Sequence, residues 1–228
     1  MNARLLLLLL SLPLIPTVAE AATPRAATAH YQVTYNGISA SGSMSLRPDQ
    51  DGRRWTYALA MGNSVARIEQ ATVFRAGTTS FLPLAATRNM RYPLGSRSVT
   101  TRFDWSARSA AWTGDVKPGK AGPVPVQPGD VEPLLLNLRL VEDVAAGRPL
   151  AYRVVDNGRV KNMRYTRLAN QTIQVGGRSM DAIRLFHGDG PKQTVVWLVP
   201  GAPFPARILQ HEPGGDSVDL RMTSWRPA

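Results

Sequence analysis

Residues 150–168 read LAYRVVDNGRVKNMRYTRL, and the middle of this stretch decides the fold. Asn157-Gly158 separates two runs, 150–155 and 160–168, each rich in apolar and β-branched side chains. That dipeptide between such runs is the strongest short hairpin signal, because both residues accept the positive φ that a two-residue turn imposes. Outward from it the same rhythm continues in both directions. Tyr31, Val33 and Tyr35 share one face, Trp55, Tyr57, Leu59 and Met61 another, and Val99, Thr101, Phe103 and Trp105 a third, each alternating with small or polar residues. A period of two with one apolar face is the pattern of a strand buried on one side. Further strands are predicted over 42–46, 65–74, 82–88, 110–112, 172–175, 180–187, 194–199, 206–211 and 218–225. Gly176-Gly177 and Pro213-Gly214-Gly215-Asp216 supply turns between them.

One segment departs from that period. Asp130 is placed to cap a helix, Pro133 suits a first turn where its missing N–H would be unpaired anyway, and Gly147 is placed to end it. Val131, Leu134, Leu135, Leu138, Val141 and Ala145 make a broad stripe, while Leu136, Leu140 and Val144 fall on the other side. A helix apolar nearly all round must be covered on two sides, by core packing or as a lid over the mouth of a curved sheet. The preceding loop, 116–128, carries Pro118, Pro123, Pro125 and Pro128 with Gly119 and Gly122, too many breakers for a regular element. It links two β halves, neither with enough strands to close its own edges. The predicted fold is therefore mainly β: a long antiparallel sheet curled into a barrel or half-barrel, with one main α-helix packed on or in it. Residues 29–226 form a single β-rich domain, preceded by a flexible segment over 22–28.

Composition supports a packed chain. Of 228 residues, 43% are hydrophobic and 19% charged, a balance that excludes a disordered or fibrous protein. Residues 1–21 combine an early cation, Arg4, an apolar run over 5–15 and the small-x-small ending Ala19-Glu20-Ala21. This is the form of a signal peptide cleaved after Ala21, and the run is too short to span a bilayer. The expected location is the periplasm, with no transmembrane segment in the mature chain. A formal charge of +11 with only four lysines makes the protein arginine-rich, but its cations are dispersed and Arg53-Arg54 stand as an isolated pair. Dispersed arginines in an exported chain argue against a nucleic-acid partner and toward anionic lipid or glycan surfaces.

Motifs for chemistry are weak. The chain has no cysteine, which removes disulfides, thiol nucleophiles and thiolate zinc sites. His30, His187 and His211 are far apart in sequence, and His187 with Asp189 reads as a strand end followed by a turn, so no metal site is predicted. Ser64, in GNSVA, lacks the second glycine and the following helix of a nucleophile elbow. No glycine-rich phosphate cradle follows a strand. No catalytic residue and no cofactor is assigned, and a non-catalytic role is favoured. What remains is binding. Inward faces of a curled sheet, with Trp55, Tyr57, Phe103 and Trp105 on them, and Leu134 and Leu138 on the helix, are the candidate ligand-binding residues. Arg53, Arg54 or Arg102 at the rim would meet an anionic head group.

The mature chain also resembles a catalogued family. The opening HYQVTYNGISASGSMSL, the middle RFDW, the segment PGDVEPLLLNLRL, YRVVDNGRV and the closing TVVWLVPGAPFPARILQ follow one another as in bacterial exported proteins of domain of unknown function 3108, over residues 29–226. The resemblance implies an exported, β-rich protein without an assigned activity, and carries over no ligand or catalytic residue. The expectation is a soluble carrier or binding module for an amphipathic, lipid-like envelope ligand. The rival readings are an accessory protein docking onto an envelope complex and a hydrolase of envelope glycan or lipid. A continuous apolar cavity under residues 134–141 distinguishes the carrier from a docking protein with a filled interior.

Overall fold

A computed structural model describes residues 24–77, 80–215 and 217–227. The predicted leader, 1–21, lies outside the described residues, as do residues 22 and 23. The first half of the chain is a run of antiparallel neighbours: β1 (Ala27–Tyr35), β2 (Ile38–Pro48), β3 (Trp55–Gly62), β4 (Arg67–Ala76), β5 (Phe81–Tyr92), β6 (Gly95–Asp104) and β7 (Ser109–Gly114). Two residues of the proline-rich loop, β8 (Val124–Pro125), add a short edge. After α1 (Leu136–Ala145) come β9 (Ala151–Asp156), β10 (Arg159–Arg164), β11 (Thr166–Val175), β12 (Arg178–Asp189), β13 (Lys192–Leu198), β14 (Arg207–His211) and β15 (Ser217–Pro227). Thirteen strands form one sheet in the order β11-β12-β13-β14-β15-β1-β2-β3-β4-β5-β6-β7-β8, and β9 with β10 forms a separate ribbon. The last strand pairs with the first, so the two halves are joined through β15 and β1.

The protein is thus mainly β, with a large antiparallel sheet and, among the described residues, one α-helix. No helix among them is long and apolar enough to cross a membrane. Strand pairing begins at Ala27, opposite Leu46 and Pro227, so residues 27 and 28 belong to the sheet and not to the flexible segment expected over 22–28. Asn157 and Gly158 turn β9 into β10 at φ of 50° and 71°, as the dipeptide requires. The predicted strand over 160–168 is broken at Tyr165. That residue is buried, donates its N–H to Leu150, and marks where the chain leaves the ribbon for the main sheet. At the far end Gly176, at φ +58°, brings the β11–β12 turn so close to β15 that a side chain there would meet the Thr223 carbonyl at 2.8 Å.

The helix starts later than expected, and for a physical reason. Asp130 does not cap it: its carboxylate is taken by the Arg153 guanidinium at 2.7 Å and by the Gln127 N–H at 3.0 Å. Val131 is held extended beside β9, donating to Arg153 O and accepting from Val155 N–H. Glu132 instead braces the turn that leads into the helix, its carboxylate accepting the N–H groups of Leu134 and Leu135 at 2.8 and 3.2 Å. Gly147, at φ +64°, ends the helix as predicted. Its all-round apolarity is used on two sides. Leu134, Leu135 and Leu138 join one core with Tyr57, Phe74 and Phe204, whereas Leu136 and Leu140 join another with Tyr152, Leu185 and Val196. Asp143 is buried on the helix, paired with Arg139 and Arg148.

Candidate ligand-binding site

A cavity of about 460 Å³ lies where the start of the helix meets the sheet, within the roughly 300–1,000 Å³ usual for small-molecule sites. One wall comes from β3, β4 and β5. Here Met61, Ile68 and Met90 stand in one cross-strand row, and Leu59, Gln70 and Arg88 in the next. The opposite wall comes from β13, β14 and β15, in the rows Val196–Ile208–Leu220 and Thr194–Gln210–Val218. Both rows of each wall face inward because alternate residues of a strand share a face. Pro133, Leu134, Leu136 and Asn137 cover the cavity, and Val154, Met163 and Tyr165 flank it from the ribbon and its exit. Two sheet regions far apart in sequence thus face one hollow.

About half of this lining is aliphatic or thioether, and its charged groups fall in two clusters. On one side Lys192 pairs with Glu212 at 2.6 Å, and Gln210 hydrogen-bonds to the same carboxylate. On the other, Asp156 accepts from Lys161 at 3.1 Å and lies 4.0 Å from Arg88. Three cations against two carboxylates leave the rim with one excess positive charge. Arg88 also lines a smaller cleft of about 180 Å³ whose lining includes Glu132, Thr101 and Trp112. Glu132 is buried, and its carboxylate accepts the Thr72 hydroxyl at 2.6 Å in addition to the two helix amides. Burial pushes its pKa above the ordinary range, opposed by those hydrogen bonds and by the Arg88 charge. Tyr57, fully buried beside it, donates to the Met44 sulfur at 3.0 Å. The cavity thus sets aliphatic and thioether walls beside a rim of paired charges with one excess cation.

The sequence-predicted residues separate. Leu134 lines the cavity. Trp55, Tyr57 and Leu138 pack in the first core, with the Tyr57 ring stacked on Phe204 at 5.4 Å. Phe103 stacks on Trp105 at 6.1 Å in a third core, and the Trp105 indole donates to Pro83 O at 2.7 Å. None of these five is among the cavity's lining residues. Arg53 and Arg54 sit in the β2–β3 turn, at the sheet end away from the rim cations, and Arg54 pairs with Asp49 there. Arg88, Lys161 and Lys192 hold the rim places instead. Nothing local marked them, since each is an isolated cation in an ordinary strand until the register sets it beside the cavity. His187 points Nδ1 at Arg164 O and lies against Tyr165. Among the described residues no group of three or more acidic, His or Cys side chains gathers where a metal could be held.

The sequence profile of a family described as protein of unknown function (DUF3108) matches residues 30–223. The chain belongs to the DUF3108 family. The match covers every residue that lines the cavity. No curated protein matches this DUF3108 chain. Among solved structures it is similar to a β-barrel-like protein of domain of unknown function DUF1849 from Brucella abortus, at 8% identity and a TM-score of 0.55, over 90% of this chain and 98% of that one. At that identity the likeness concerns the fold alone. MucB superposes at 12% identity and a TM-score of 0.35, over 92% of this chain and 56% of that one. The MucA/MucB complex of Pseudomonas aeruginosa gives 10% and 0.35, over 90% and 53%.

Proposed function

We propose that this DUF3108 chain is a non-catalytic carrier for an amphipathic, lipid-like ligand of the cell envelope, exported to the periplasm by its 1–21 leader. In this reading the sheet is a half-barrel and the segment 133–137 its lid. One observation carries it: a hollow of about 460 Å³ walled by β3–β5 and β13–β15 and roofed by the helix start. The ligand's apolar part lies along Met61, Ile68, Met90, Val196 and Ile208. Its polar end meets Arg88, Lys161 and Lys192, where guanidinium and ammonium groups match a phosphate or carboxylate. A hollow of this size, with aliphatic and thioether side chains on both walls, leaves room for the apolar part of a guest.

The test fills the hollow. Ile68→Trp and Met90→Trp place an indole in the space without removing a core contact, because both side chains are only half-buried. Protein purified without detergent is analysed by native mass spectrometry, and the gain in fluorescence of 1-anilinonaphthalene-8-sulfonate is titrated. Wild type should carry a lipid-sized adduct and brighten the dye, and the folded double variant should do neither. Equal dye binding by both proteins, with no adduct on either, overturns the carrier.

A further inference from the structure

Each large hydrophobic side chain that stands exposed among the described residues lies at one end of the sheet. They are Tyr35 and Ile38, Val65, and Tyr92 and Leu94, with Leu94 wholly in solvent. The register explains the gathering. Tyr35 opposes Ile38 across the β1–β2 turn, Gly62 opposes Arg67 across the β3–β4 turn that holds Val65, and Tyr92 opposes Gly95 across the β5–β6 turn that holds Leu94. In an antiparallel meander alternate turns share an end, so these three are neighbours. The β2–β3 turn at the opposite end carries Asp49, Asp51, Arg53 and Arg54 instead.

Cations collar the apolar tips. Arg67 opposes Arg91 in register, and Arg97 opposes Met90 one strand further on. Against them stand Glu69, paired with Arg67 at 2.7 Å, and Asp115, whose carbonyl accepts from Arg97. We infer that the three hairpin tips are a docking surface for an anionic phospholipid bilayer, with Ile38, Val65, Tyr92 and Leu94 entering the interface and the arginines meeting the head groups. Short apolar projections flanked by arginines are the chemistry of interfacial insertion. A stable protein partner would instead call for a continuous patch of roughly 800 Å² on this side, whereas three separate hairpin tips fit a fluid that conforms to each. A chain of charge +11 is attracted to such a surface at long range. The outer wall rows Met61–Ile68–Met90 and the Lys192–Glu212 pair lie toward this same end, so docking sets the cavity rim against the bilayer. The surface stands whatever fills the cavity.

The chain has no cysteine, so single labels are clean. Leu94→Cys, and Asp51→Cys at the opposite end, are each labelled with an environment-sensitive fluorophore and mixed with vesicles. A blue shift at 94 but not at 51, with phosphatidylglycerol–phosphatidylethanolamine vesicles and not with phosphatidylcholine alone, is the expected result. In sedimentation, Val65→Asp/Leu94→Asp should weaken binding at least about tenfold, since two apolar side chains lose their burial. Both positions are exposed, so the variant keeps its fold. Val65→Asp/Leu94→Asp should still carry the adduct and brighten the dye while losing vesicles, which separates failure of docking from failure of the carrier. No vesicle binding, equal shifts at both labels, or undiminished binding by the double Asp variant overturns the proposal; capture of the tips by a protein instead of vesicles does so as well.

Discussion

The region around Tyr57 and the region around Met61 lie on one face of one strand, and one is filled while the other is hollow. In the filled region Tyr57 stacks on Phe204, Phe74 meets Phe81 edge to face at 4.9 Å, and Tyr31 reaches across to donate to Pro205 O at 2.9 Å. Two and four residues further along β3 the inward side chains are Leu59 and Met61, and along β4 Phe74 gives way to Thr72, Gln70 and Ile68. The backbone alternation is the same in both. The reach of the side chain differs: aromatic rings span the space between facing sheet regions, and aliphatic chains stop short. Alternation selects which face turns inward, and side-chain size decides whether the interior closes.

This contrast can be broken, and the largest effect belongs to the filled side. Phe204→Ala removes a ring with no exposed surface and should cost about 3–5 kcal/mol, as for buried aromatic truncation. Ile68→Ala on the hollow wall should cost less than about 1 kcal/mol, because little packing is lost where neighbours are already absent. Urea denaturation of the two variants measures the difference, and equal losses would mean that the cavity wall is packed as tightly as the core.

A smaller effect sits at the border of the two regions. Glu132 has a folded pKa raised by burial, so the folded chain holds its proton more tightly than the unfolded chain does. Its stabilising contribution is complete below the unfolded value and is lost as pH rises through the folded one. Melting temperatures should therefore fall in that window for wild type and stay flatter for Glu132→Gln, whose amide still accepts the helix N–H groups. The smallest effect is expected on the helix, where burial, opposed by Arg139 and Arg148 and aided by Asp143, pushes Glu142 from the ordinary 4.5 up to about 7. The same sign applies: stability declines between pH 4.5 and about 7. Glu142→Gln should remove this decline in the same thermal scans, and to a lesser degree than Glu132→Gln because Glu142 is partly hydrated.

Much of the fold was legible. Turn dipeptides and the period of two place the hairpins because they depend only on a residue and its near neighbours. The helix was legible in its apolar stripe and its end at Gly147, but its start was not. Whether Asp130 caps or pairs depends on Arg153, which is distant in sequence and arrives through β9. The candidate site was legible only at Leu134. Aromatic residues drew attention as a cavity lining, yet large rings are the side chains that fill a space, whereas the hollow is bounded by Met, Ile and Val positions with no distinctive spacing.

The sequence by itself determined the β character, the hairpins that carry the apolar tips, and a helix that must be covered on both sides, since each follows from local periodicity and turn chemistry. Only the tertiary structure decided that β3–β5 and β13–β15 face each other across a gap, that Arg88, Lys161 and Lys192 share its rim, and that three exposed turns share an end. Those facts are registers and distances between residues far apart in the chain, and the free energy that sets them comes from how side chains of unequal reach fill, or fail to fill, a common interior.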